Sequence, residues 1–410
     1  MSTSLKKDPY PGRPKILFIG PSESSHTNGF IHLLDGARLN VRMFGLSTGA
    51  PPGDWAVPTY VTARHSPGGS TGLRVRLYAA PRWAQLPQVA YARYLAGGAA
   101  VYEQRFLARV IRSWRPDIIH TFGIPTGSEF YFAARERFAL AGLGRWVLQV
   151  RGGSDLTLPH LDPAQAPRIS QMLKACDRLM DDNWENVRIA KELGFDERKL
   201  ATSAPIPGAG GLDLEHMATL RRDPPSSRRV ILWPKAYECP YSKSLPVLEA
   251  LKICWESLRP CRIHMLAADV ETRSWFRTLP AGLQEICRLE PRIPHAQALE
   301  LMGEARVMLA PTLIDGFPNS LLEAMATGAL PIVSPLANIA SEVEGGRHVL
   351  FARNLYPQEI ADALVRAMTD DALIEAAAIA NLEKVRILGD RKRFAPLLVA
   401  FYEEISHSHI

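Results

Sequence analysis

No apolar run in this 410-residue chain approaches the roughly 18 residues that a membrane-spanning helix requires. No apolar stretch follows the lysines of the N-terminal MSTSLKKDPYPGRPK either, so no secretory signal is read there. Cysteine is scarce. Cys176, Cys239, Cys254, Cys261 and Cys287 form no C-x-x-C pair and have no partnering histidine cluster. Their number is odd, which argues against a disulfide framework and for reduced thiols in a cytosol. Low-complexity tracts and short repeats are missing as well. Hydrophobic residues at 47% and charged residues at 22% lie near globular averages, which removes disordered, collagen-like and coiled-coil classes. The expectation is a cytoplasmic protein with two domains of roughly 200 residues each.

Charge is present but unevenly placed. The net charge is +6. Residues 1–200 hold 26 Lys and Arg against 17 Asp and Glu, and the remainder holds 22 against 25. Between Trp55 and Pro116 there are nine arginines (Arg64, Arg74, Arg76, Arg82, Arg93, Arg105, Arg109, Arg112, Arg115) and one acid, Glu103. Tyr, Trp and aliphatic residues interleave with them. The stretch fits a solvated basic helix face. It also fits an anionic membrane surface or lipid-linked acceptor, because guanidinium groups fork phosphates while aromatic rings sit at an interface. On the second reading the chain is peripheral on the inner face of the membrane. No nucleic-acid motif accompanies the charge, so no nucleic-acid partner is expected.

Short apolar runs alternate with helix-length patterns throughout. Strands are expected at Lys15–Gly20, Val41–Leu46, Leu73–Ala79, Asp117–Phe122, Trp146–Arg151 and Arg178–Asp181. A second series follows at Arg229–Trp233, Arg262–Ala267, Ile286–Leu289, Arg306–Pro311, Leu330–Ser334 and Val349–Phe351. Helices are expected at Ala164–Leu173, Trp184–Leu193, Leu245–Ser257, His295–Met302 and Asn319–Thr327. Continuous apolar strands between helices make parallel sheets covered on both faces, with ligands beyond the C-terminal strand ends. The Pro- and Gly-dense 205–211 segment can continue neither helix nor central strand. The boundary is placed there: residues 1–207, residues 208–390, and a C-terminal helix in 391–410 that can pack back on the first domain.

One stretch carries chemistry. In residues 311–328 an apolar strand ends, a Gly/Pro turn follows and a helix begins near Pro318 or Asn319. The N-terminus of such a helix offers amides and partial positive charge to a diphosphate, and Asn or Ser can cap it. Asp315 precedes the turn, and Glu323 lies over one turn into the helix. Acids beside a phosphate suit sugar and ribose hydroxyls. The same residues equally fit an ordinary strand–turn–helix with a capping acid.

The segment resembles the acidic-x7-acidic signature of GT-B glycosyltransferases, in particular the retaining family 4. The likeness continues through LLEAMATGALPIVSPLANIASEVEGGRHVLFARN. It is moderate at KLATSAPIPGAGGLDLEHM, KILFIGPSESSHTNGF and DIIHTF, and 50–110 match nothing in the family. The resemblance implies an α/β GT-B architecture, two Rossmann-like parallel-sheet domains facing across a cleft. The second would hold a nucleoside-diphosphate sugar and the first a glycan or lipid-linked acceptor in surface-polysaccharide assembly. Asp315 would meet the donor sugar and Glu323 the ribose. Gly316, Phe317, Asn319, Ser320 and Leu321 would line the phosphate end, with Arg292 also on the nucleotide side.

The family's basic pair, Gly-Arg-x4-Lys-Gly, is altered here. Lys235 and Lys243 occupy its place with three extra residues between them, and would stabilise the leaving diphosphate. The family's first-domain His-Gly-x-Asp becomes Arg151-Gly-Gly-Ser-Asp155, so no catalytic histidine carries over. Arg151, Gly153, Asp155, His26, Gly29 and His120 are the acceptor-side candidates. Asp213-Leu-Glu215 and Asp181-Asp182 do not follow a strand as a metal–diphosphate site needs, so no metal or other cofactor is expected. A retaining reaction needs no strong protein base, because the departing phosphate oxygen can take the acceptor proton. Two other readings remain: a non-catalytic nucleotide-sugar-binding subunit of a transferase complex, and a GT-B sugar-nucleotide epimerase, against which the Asp315–Glu323 pair argues.

Overall fold

The computed structural model describes residues 8–46, 55–61, 77–79, 98–153, 155–202 and 205–407. The chain divides into two compact units. One runs to Gly210 and includes the segment from Arg393 onward; the other spans Gly211–Lys392.

The first unit is built on seven strands: β1 Lys15–Gly20, β2 Asn40–Gly45, β3 Thr59–Val61, β4 Leu77–Ala79, β5 Ile118–Phe122, β6 Arg145–Gln149 and β7 Arg178–Met180. Their order is β4-β3-β2-β1-β5-β6-β7, with every neighbouring pair parallel. The runs IIHTF and ILFIG are buried on both faces, as strands between two helix layers must be. β3 was not expected from the sequence. It is three residues long, and its register is fixed by pairing with β2 and β4 and by Trp55, which is fully buried and donates from Nε1 to Thr59 Oγ1 (2.9 Å). The expected strand at 146–151 stops at Gln149, because the Arg151 amide turns away to Asp155 Oδ2 (2.7 Å).

The helix Arg391–His407, part of this unit from Arg393 onward, buries Phe394, Leu398, Phe401, Tyr402 and Ile405. These side chains join Phe18, Phe30 and Phe122 in one apolar cluster. Burying each such side chain contributes about 1.5–3 kcal/mol, which is what fastens the distant C-terminal segment here.

The second unit has six strands: β8 Val230–Trp233, β9 Arg262–Leu266, β10 Cys287–Glu290, β11 Ala305–Ala310, β12 Leu330–Val333 and β13 Leu350–Phe351. Their order is β10-β9-β8-β11-β12-β13, again all parallel. In each sheet the chain reverses its direction of winding once, between β1 and β5 and between β8 and β11. Such switch points open a crevice beyond the C-terminal strand ends, where ligands of doubly wound sheets sit. Among the described residues, no helix is long and apolar enough to cross a membrane. All five cysteines are free thiols.

Candidate active site

Adjacent strands β8 and β11 end side by side at the second unit's switch point, with Leu232 in register with Met308. Lys235 follows the first and Asp315 the second. Eighty residues apart in sequence, they meet: Lys235 Nζ lies 2.9 Å from Asp315 Oδ2. Burial would lower the Lys235 pKa, but the Asp315 carboxylate outweighs it and the ammonium is held above its ordinary value. Asp315 is itself pinned. Its Oδ1 accepts from the Gly316 amide (2.9 Å), and its carbonyl accepts from Asn338 Nδ2 (3.1 Å).

Tyr237 lies in the same neighbourhood. Burial raises its phenol, while Lys235 and the exposed Arg292 act in the opposite direction.

The helix Asn319–Thr327 starts after Pro318, and no side chain caps its N-terminus. The sequence had suggested an Asn or Ser cap. The amide set also narrows. Gly316 N–H is taken by Asp315, and Leu321 N–H by the Pro318 carbonyl (3.0 Å). Phe317 is buried in the apolar cluster beneath the turn, and Ser320 lies in the first helical turn. Leu321 and Leu322 anchor the helix in the same cluster, fixing the direction in which its N-terminus points.

Glu323 is mostly buried, its side chain 12% exposed, and its Oε1 lies 2.8 Å from His295 Nε2. That hydrogen bond, working against partial burial, raises the His295 pKa. His295 opens the helix His295–Glu304, where the sequence had suggested only a helix start.

Lys243 immediately precedes the helix Ser244–Leu258. Its ammonium pairs with Glu238 Oε1 (2.7 Å), and Glu238 Oε2 also accepts from the Ser244 amide (2.8 Å). Its backbone is locked by Asn354, which accepts from Lys243 N–H (2.8 Å) and donates to the carbonyls of Lys243 (3.0 Å) and Pro311 (2.9 Å). The longer spacing between the two lysines is absorbed by a turn in which Cys239 and Ser242 exchange backbone bonds. The Tyr241 carbonyl then accepts from the Leu313 amide (2.7 Å). Glu238, Asn354, Tyr241 and His295 thus shape the site without having been singled out in the sequence. Only Asn354, in the recognised VLFARN run, carried any signal.

On the first unit, the loop after β6 brings Arg151, Gly153 and Asp155 together. Arg151 Nη1 reaches Thr27 Oγ1 (3.2 Å) on the helix Ser25–Ile31, and its guanidinium lies 4.6 Å from the centre of the Phe122 ring. His26 is exposed on that helix. Gly29 serves a close approach: a Cβ there would stand 2.6 Å from the Ala209 carbonyl. Burial pushes the Asp155 carboxyl up to about 7, even though Arg151 opposes it.

His120 is a correction. It is fully buried, with Nε2 donating to Gln149 Oε1 (3.0 Å) and Nδ1 accepting from Tyr402 O–H (2.7 Å). Burial pushes its pKa down to about 3, so it is a neutral core residue rather than an acceptor contact. Among the described residues, no group of three or more His, Cys, Asp or Glu side chains is placed to hold a metal ion.

Residues 230–370 match the family described as glycosyl transferases group 1. Solved structures match nearly the whole chain. A glycosyltransferase from Rickettsia africae superposes with a TM-score of 0.66 at 12% identity, covering 97% of this chain and 100% of that one. The fold is GT-B. Sucrose-phosphate synthase from Thermosynechococcus elongatus gives 0.66 at 15% identity, covering 96% and 99%. Anabaena HepE in complex with UDP-glucose gives 0.62 at 13%, covering 94% and 98%. Among curated proteins, none matches the chain significantly.

Proposed function

We propose that the chain is a retaining, family 4-like hexosyltransferase. It moves a sugar from a UDP- or GDP-linked donor to a glycan or lipid-linked acceptor. The observation that carries this reading is the Lys235–Asp315 pair at 2.9 Å, set at the switch point beside an uncapped helix N-terminus. A cation, a helix dipole and a hydroxyl-seeking acid converge there, which is what a nucleoside-diphosphate sugar requires. The group 1 match over this unit, and the UDP-glucose held by the similarly folded Anabaena protein, support it.

The donor's diphosphate lies against the helix N-terminus and Lys235, with Lys243 as the second cation. Charge on the departing phosphate grows in the transition state. A preorganised donor aimed at such charge is worth about 3–4 kcal/mol. Asp315 turns to the sugar hydroxyls, and Glu323 holds the ribose. No metal or other cofactor takes part.

Incubation with labelled UDP- and GDP-sugars tests the reading. Slow hydrolysis releasing free sugar of the original stereochemistry supports it. Binding without turnover contradicts it in favour of a non-catalytic subunit, and release of an epimerised sugar in favour of an epimerase.

A further inference from the structure

The loop between Lys235 and Lys243 carries an acid of its own. Cys239 N–H donates to the Ser242 carbonyl (2.9 Å) and Ser242 N–H to the Cys239 carbonyl (3.3 Å). Pro240 stands second in this tight turn, where its fixed φ suits the backbone. The exchange makes a short antiparallel bridge and sets Glu238 opposite Lys243, a placement that favours unlike charges. Glu238 Oε1 lies 2.7 Å from Lys243 Nζ. Glu238 Oε2 accepts from the amide of Ser244 (2.8 Å), the first residue of the helix Ser244–Leu258, and from Ser244 Oγ (3.4 Å). One carboxylate therefore takes a lysine ammonium and a helix N-terminal amide together, the two groups that a phosphate oxygen would use there.

The carboxylate and the lysine are held to different degrees. Glu238 N–H donates to Asp269 Oδ2 (2.9 Å), and Asp269 Oδ1 accepts from the Thr272 amide (2.9 Å). Thr272 Oγ1 then donates to Ser244 Oγ (2.7 Å), which closes a ring back to Glu238. Ser244 and Thr272 are fully buried, so this ring fixes the acid in place. The Lys243 backbone is braced by Asn354 against Pro311, just beyond β11 and four residues before Asp315. Its side chain is 38% exposed, and its four-carbon stem leaves the ammonium free to turn.

We propose that Glu238 is a positioning residue acting through Lys243: an internal anion against which the donor's diphosphate competes for the ammonium. The proposal rests on the reading that Lys243 serves the diphosphate. Lys235 is paired as well, but its partner Asp315 turns to the sugar, whereas Glu238 stays in its ring. Lys243 is thus shared between a fixed carboxylate and the phosphate. It holds the nucleoside diphosphate less tightly than an unpaired lysine would, the released product included.

Calorimetry of the whole chain with inorganic pyrophosphate, UDP and GDP tests the proposal. Glu238→Gln removes the charge but keeps an oxygen for the Ser244 amide. It should tighten all three ligands roughly two- to fivefold, and inhibition by the released nucleotide should strengthen to match. Lys243→Met should weaken all three. In that background Glu238→Gln should add nothing, because its effect passes through the ammonium. Glu238→Ala, which also loses the acceptor oxygen, should show the same gain at a lower melting temperature. Unchanged or weaker binding in Glu238→Gln, as a mere brace of the helix would give, would overturn the proposal. So would an equal gain with and without Lys243, or failure of the wild type and every variant to bind any of the three ligands. Pyrophosphate keeps the two readings apart. A chain that turns over no donor but shows the Lys243-dependent gain loses the transferase assignment and keeps this role for Glu238. One that transfers sugar without the gain keeps the first and loses the second.

Discussion

At the scale of single residues, the two signature acids are held differently. Asp315 is paired with Lys235, the cation that the diphosphate needs, whereas Glu323 is bonded to His295. Asp315→Asn therefore releases Lys235. Affinity for UDP or GDP should stay level or rise a few-fold, while turnover falls roughly tenfold or more. Glu323→Gln should weaken the nucleotide and the intact donor alike, by roughly 10–150-fold, the worth of a hydrogen bond to a charged group. Calorimetry with the nucleotide beside turnover with the donor separates the two roles; loss of nucleotide binding in both variants would contradict them. His295 adds a pH dependence. Its pKa is raised by Glu323, so its protonated form persists at Glu323 to higher pH than an ordinary histidine would, and the ribose must displace it. Nucleotide affinity should climb as pH rises past the ordinary histidine range and that proton leaves. His295→Ala should flatten the profile by strengthening binding at the acid end, and an unchanged profile would remove His295 from the site.

At the scale of elements, the apolar strands were legible because β-branched and aromatic runs buried on both faces have few other uses. KILFIG became β1 without a residue's change, and Asn319–Thr327 is the helix expected. The three-residue β3 was not legible, since its pairing partners rather than its composition make it a strand. Within the site, the Asp315–Glu323 spacing was readable because both acids lie on one strand–turn–helix. The locks were not, because they join residues far apart: Asn354 to Lys243 across 111 positions, and His295 to Glu323 across 28. His120 misled for the same reason, since its partners Gln149 and Tyr402 come from other elements. Asn354 is almost fully buried and bonds to three backbone groups. Asn354→Leu leaves those groups unsatisfied. It should destabilise the second unit by about 2–4 kcal/mol in thermal or denaturant melts and raise the donor KM, since Lys243 and Pro311 lose their common brace. In the first unit, Tyr402→Phe should cost about 1–2 kcal/mol, because His120 Nδ1 then stays buried without its donor.

At the scale of the whole molecule, the basic excess lies in the first 200 residues. Part of that positive charge is displayed on one helix. Arg105, Arg109 and Arg112 project from exposed positions of the helix Ala99–Trp114, spaced to share one face. Arg64, Arg74, Arg76, Arg82 and Arg93 lie outside the described residues. If this face meets anionic lipid, binding to anionic vesicles should be strong at low salt, fade as salt rises and weaken when the three helix arginines become Glu. Equal binding to neutral vesicles would contradict that role. The central claim is that the GT-B chain transfers a sugar from a nucleoside-diphosphate donor with retention, using Lys235, Asp315 and Glu323. Real-time proton NMR of an α-linked UDP- or GDP-sugar incubated with the protein tests it most directly. The account predicts that the first anomeric signal to appear is α, and that Glu323→Gln slows its appearance roughly tenfold or more. A first product of β configuration, or a wild type that leaves every donor intact, would contradict it.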